Sequence, residues 1–185
     1  METAVRVLSV LLLSSVITVS GCAAVRHAQP SFKVVASSSE SQPKWLATKA
    51  SEDAGYLFFV GRADGVQDLS RSEDQAQAHA LTLIRGALRE SLLREFEAGP
   101  GMKAAGKRDQ LDRALSQGLS EIALDGVAPV ERYWERGEVS VADGTVYAYR
   151  VALLVRIPKS QFEATRAQAY KVLADQVGLE TVSHY

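Results

Sequence analysis

The chain has 185 residues, 46% of them hydrophobic and 23% charged, with 21 Lys and Arg against 22 Asp and Glu and a formal net charge of -1. That length suits one domain with one core, and the balanced charge argues against a nucleic-acid partner, which would call for a clustered basic face. One cysteine, Cys22, excludes an intramolecular disulfide and a thiolate zinc cluster.

Met1 to Arg6 is a weakly positive opening, diluted by Glu2, and Val7 to Val19 is an apolar run. The run is short of the ~20 residues that a spanning helix needs and suits a signal peptide. It closes on Val19-Ser20-Gly21-Cys22, which resembles the lipobox of bacterial lipoproteins, with Val19 where leucine is usual. The resemblance implies that 1–21 is removed and that Cys22 is lipidated as the first residue of the mature chain. Such lipoproteins carry two or three acyl chains, whereas a single chain holds a protein only marginally. Ala23 stands where aspartate commonly signals inner-membrane retention, which favours the outer membrane with the domain facing the periplasm. Two other readings stay open: an uncleaved N-terminal anchor, and cleavage at a different bond.

Residues 22–42 read as the lipidated cysteine and a flexible tether, with Pro30, Ser37-Ser38-Ser39 and Pro43 and no sustained periodicity. Val34 and Val35 suggest at most a brief extended piece. His27 has no ligand-type neighbour at metal spacing, so no metal or other cofactor is expected. The folded domain is placed at 43–185, opened by Trp45 and Leu46 as a cover on one edge of the core.

Within it, Tyr56-Leu57-Phe58-Phe59-Val60 predicts a first strand, its continuous apolar character suiting a central position, and Arg62-Ala63-Asp64-Gly65 predicts a turn. Ser70 and Glu73 have the spacing of a capping box for a helix running to about Phe96. Ala76, Ala80, Leu83, Ile84, Ala87 and Ser91 form its stripe, widened by Leu88, Leu92 and Phe96. His79 on this helix is structural rather than catalytic. Gly99-Pro100-Gly101 breaks the helix, and a second one is expected from about Arg108 to Leu124. Val127 to Glu135 predicts a second strand, Asp143-Gly144 a turn, and Thr145 to Ile157 a third strand. In that third strand Tyr147, Tyr149, Val151, Leu153, Val155 and Ile157 share one face, with Arg150 and Arg156 on the other. Pro158 halts the strand and a last helix covers Lys159 to Val177. The expected fold is α+β: two layers, with a three-stranded, mainly antiparallel sheet carrying helices on one face in the order β-α-α-β-β-α. The first and third strands are expected side by side.

Pro43-x-Trp45, Tyr56-Leu57-Phe58-Phe59-Val60-Gly61-Arg62-Ala63, the alanine-spaced helix and Tyr147-Ala148-Tyr149-Arg150-Val151 together resemble the LPP-twenty type of bacterial envelope lipoproteins, a family related to the N-terminal domain of the flagellar ring-assembly protein. That resemblance implies an α+β envelope domain without cofactor or enzymatic site. The expected function is therefore non-catalytic: a structural, assembly or interaction module on a lipid anchor, touching an envelope protein through Tyr133, Trp134, Arg150 and Arg156, a mixture typical of contact surfaces. A cell-wall or small-ligand binder is the alternative. An envelope hydrolase ranks lower, because neither Gly-x-Ser-x-Gly nor a His-Glu metal motif occurs.

Overall fold

The computed structural model describes residues 31–48, 50–98, 107–141 and 143–177. Cys22, the signal segment, His27, the Gly99-Pro100-Gly101 break and the C-terminal tail lie outside the described residues. The elements are β1 (Phe32–Ser37), a 3-10 turn (Lys44–Ala47), β2 (Ala50–Asp53), β3 (Tyr56–Val66), α1 (Leu69–Ala98), α2 (Lys107–Glu121), β4 (Ala128–Val141), β5 (Gly144–Pro158) and α3 (Lys159–Val177). Among the described residues the fold is α+β, with one antiparallel sheet of order β1-β4-β5-β3-β2 and three helices.

The sheet therefore has five strands, not three. The expected inner order is present, since β5 lies between β3 and β4. The two additional strands lie at the edges, and β1 falls inside the stretch read as a tether. Phe32, Lys33 and Val34 pair with Val139, Glu138 and Gly137, and Ala36 and Ser37 with Arg136 and Glu135. The expected turn at Arg62 to Gly65 is instead the continuation of β3, bulged between Asp64 and Val66, with Gly65 at φ 79°. A bulge absorbs the extra residue at a left-handed position that glycine takes without strain. β4 likewise runs on to Val141, so that β4 and β5 form one long hairpin.

Asp68, not Ser70, caps α1: its Oδ1 accepts the Arg71 amide at 2.8 Å. Glu73 instead pairs with Arg132 of β4 at 2.6 Å. The buried positions of α1 are Ser72, Ala76, Ala80, Ile84, Leu88, Leu92 and Phe96, one every fourth residue. At 3.6 residues per turn such a stripe drifts by about 40° per step, so the face buried early in the helix is not the face buried late. The early part lies on the sheet. A Cβ on Gly61 of β3 would overlap the Ala76 carbonyl and stand 2.8 Å from the Ala80 methyl, so helix and strand meet only because these residues are small. The late part joins α2 and α3, with Leu111, Leu115, Leu119 and Leu173 in the same core and Phe96 stacked on Tyr170 at 4.5 Å. Burying each such leucine, isoleucine or phenylalanine contributes ~1.5–3 kcal/mol. The exposed Arg89–Asp112 pair between α1 and α2 is worth ~0–1 kcal/mol. Apolar packing holds the helical layer.

The strands supply the opposing wall. Phe59 and Ala63 of β3 and Val151, Leu153, Val155 and Ile157 of β5 face the helices. Their alternates Val60, Ala152 and Leu154 form a second, smaller cluster on the other face, covered by Trp45, Leu46 and Phe58. Trp45 and Leu46 thus cap the second face of the sheet rather than an edge of the main core. The topology requires this. β1 and β2 are successive strands at opposite edges, so the chain between them must cross the sheet, and it does so as a strap over the face away from the helices.

Candidate functional site

Contacts from four of its residues pin the strap to the sheet. Trp45 Nε1 donates to Glu131 Oε2 at 2.7 Å, the Arg62 guanidinium donates to the Leu46 carbonyl, and the Ser38 amide donates to the Trp134 carbonyl at 2.9 Å. Gln42 Nε2 donates to Glu135 Oε1 at 2.8 Å. Between the strap and the sheet opens a groove of about 610 Å³, lined on the sheet side by Arg62, Asp64, Tyr133, Glu135 and Arg150.

Register explains why these five converge. Arg62 and Asp64 on β3 stand opposite Ala152 and Arg150 on β5, which in turn face Tyr133 and Glu135 on β4. All share the period-two face that carries no helix. Ala152 in the middle row is small, which leaves space above it.

The groove holds one ion pair and one carboxylate met by neutral donors. Arg150 Nε lies 3.6 Å from Asp64 Oδ1, and its guanidinium also sits 3.9 Å above the Phe32 ring. Glu135 is a buried acid, 8% exposed, and its Oε1 accepts from both Gln42 and the Tyr133 hydroxyl, each at 2.8 Å. Burial first, then the hydrogen bond to Glu135 and that carboxylate's charge, push the Tyr133 phenol up to about 12. At neutral pH the phenol is therefore a fixed donor rather than a nucleophile or base. The Asp64–Arg150 pair is exposed and of the kind worth ~0–1 kcal/mol, so an incoming ligand can re-partner either group at small cost. This arrangement can recognise a polar surface carrying donors and acceptors of both signs.

The structure divides the four residues expected to form one contact face. Tyr133 and Arg150 line the groove. Trp134 does not belong with them: as the neighbour of Tyr133 in a strand it points to the opposite face, where it packs on the main core and meets Tyr149 edge-on at 6.0 Å. Arg156 shares the face of Arg150 but lies six residues along β5, ~20 Å away, over the ring of Tyr56 at 4.6 Å. Gln42, Arg62, Asp64 and Glu135 complete the site without having been singled out from sequence. For Arg62 and Asp64 the available signal was their period-two spacing after Val60. His79 has a backbone partner, its Nδ1 accepting the Arg62 amide at 3.0 Å.

Among the described residues no helix is long and apolar enough to cross a membrane, and no three His, Cys, Asp or Glu side chains cluster as metal ligands would. In comparisons with known proteins, no family model, no curated protein and no solved structure matches the chain.

Proposed function

We propose that this chain is a lipid-anchored lipoprotein of the bacterial outer membrane, facing the periplasm, which works without catalysis by holding another envelope component in the groove beneath its strap. The observation that carries the reading is the polar lining of the groove, the Arg150–Asp64 ion pair and the Glu135 carboxylate held by the Tyr133 hydroxyl, beside a strap that belongs to the anchor-proximal part of the chain. The Cys22 lipobox and the resemblance to LPP-twenty-type lipoproteins support the location. An envelope protein is the favoured occupant, reached by the membrane-tethered domain without diffusion in bulk.

The test places a photo-crosslinking amino acid at position 64 of the full-length protein in intact envelopes, with Arg150→Glu as the groove-altered control. A discrete protein adduct that Arg150→Glu diminishes supports the reading. The mixed donors and acceptors also suit a peptidoglycan strand, and co-sedimentation with purified sacculi without a protein adduct would favour that alternative. Neither adduct nor sedimentation would sink the groove as a contact site. Separately, Cys22→Ser should release the protein from the membrane fraction; continued membrane attachment without lipid would defeat the anchor.

A further inference from the structure

The β4–β5 hairpin projects past the rest of the sheet. β3 pairs with β5 only from Tyr149 to Pro158, so Gly144 to Ala148 are flanked by β4 alone. Five residues of strand extend ~17 Å. β1 lies along this projection on the other side of β4, beginning at Phe32 opposite Val139. The result is a three-stranded arm at one end of the molecule.

The arm is apolar where it should be wet. Four of the six large hydrophobic side chains most exposed among the described residues belong to it: Val34 (48%), Val35 (42%), Val141 (45%) and Tyr147 (48%). Its charges balance: Lys33 stands 4.0 Å from Glu138, Arg136 lies over the Tyr147 ring at 4.7 Å, and Asp143 is exposed in the turn. An apolar end with a tyrosine and no excess charge matches the boundary between headgroups and acyl chains, where an aromatic ring with a polar tip is favoured. The carboxylate of Asp143 limits contact to the headgroup level.

The path of the chain selects the occupant. We infer that the β1–β4–β5 arm rests on the lipid surface to which Cys22 is anchored, an inference built on the lipoprotein reading above. Nine residues lie between Cys22 and Phe32, so the ten Cα steps reach at most ~35 Å. The chain enters the fold at the arm. The far end of the sheet, at Pro158, lies ~50 Å along β5, so this leash brings the arm to the bilayer before any other part of the domain. The groove under the strap lies further along the same strands, toward the body of the domain and away from the tip of the arm.

The experiment uses the full-length lipidated protein in vesicles of phosphatidylethanolamine and phosphatidylglycerol, with Val34→Cys, Val141→Cys or Val172→Cys labelled by a thiol-reactive fluorophore. Val172 is a control on α3 with the same 48% exposure as Val34. The sulfur of Cys22 is consumed by its thioether, so only the introduced thiol reacts. Quenching by brominated acyl chains should be about twofold or more stronger at positions 34 and 141 than at 172, as expected for groups at the headgroup boundary. Equal quenching at the three positions, in protein that carries the lipid mass and floats with the vesicles, overturns the resting arm alone. Protein that carries no lipid mass and does not float overturns the arm and the anchor together.

Discussion

Phe32 lies across the bare backbone of Gly137: a Cβ on that glycine would stand 2.5 Å from the ring. The same ring carries the Arg150 guanidinium 3.9 Å above it. One aromatic from the first strand thus reaches over β4 and helps position a groove residue on β5. Phe32→Ala should destabilise the protein by ~1–2 kcal/mol, the worth of a half-buried aromatic and its cation. Gly137→Ala should cost a similar amount by turning the ring aside. Because both changes remove one arrangement, the double variant should fall short of their sum, as urea unfolding of the three proteins would show.

The boundary of the folded unit moves with that contact. A protein starting at residue 43 lacks β1 and half of the strap, leaving the edge of β4 unpaired and Glu135 without Gln42. It should melt clearly below one starting at residue 31, and a thermal scan of the two settles the comparison. Equal midpoints would show that 31–42 contributes no stability.

Gly61→Ala should be among the most damaging single changes to the sheet. The added methyl meets backbone of α1 at Ala76, which cannot rotate away as a side-chain tip can. Overpacking of this kind costs about 1–3 kcal/mol, read as a lowered denaturant midpoint. Gly118→Ala is the matched control, since its Cβ would sit at an ordinary 3.5 Å from Leu173 within α2 and should be neutral or mildly stabilising.

Tyr133 links the groove to alkaline stability. Its phenol titrates near 12 in the folded chain against 10.0 ordinarily, so below pH 10 both folded and unfolded chains hold it neutral. Between these values only the unfolded chain ionises, and folding stability falls as pH rises through that window. Tyr133→Phe should remove this part of the pH dependence. Glu135→Gln should move the folded phenol's titration downward while leaving it above the ordinary value, because burial is the largest cause. Urea unfolding across that pH window checks the first effect, and ultraviolet titration of phenolate absorbance checks the second.

The inner sheet and the helices are legible in the sequence because burial imprints a pattern: β5 keeps Val151, Leu153, Val155 and Ile157 on one unbroken apolar face, and Lys159 to Val177 matches α3. The edge strands leave no such imprint. β2 is exposed throughout, and β1 is exposed after Phe32, so neither needs an apolar alternation. They are held by backbone ladders and by contacts distant in sequence such as Lys159 with Glu52. Glu135 looks like one more surface acid among Glu131, Arg132 and Arg136 until Gln42, 93 residues earlier, is brought over it. Trp134 shows the opposite case: strand alternation separates it from Tyr133, yet shared composition grouped them. In α1 the four-residue drift, which moves burial from sheet to helices, favours Leu88 and Leu92 over Ala87 and Ser91.

The direction of β1 has a mechanical consequence. It enters at the free end of the arm and runs back toward the body, antiparallel to β4, with its first residue nearest the proposed anchor. Tension drawn from the membrane along the arm therefore slides β1 lengthwise past β4. All the rungs between Phe32 and Ser37 resist together, where a sideways pull would open them one after another. On the lipoprotein reading proposed above, the strand nearest the anchor is loaded in shear.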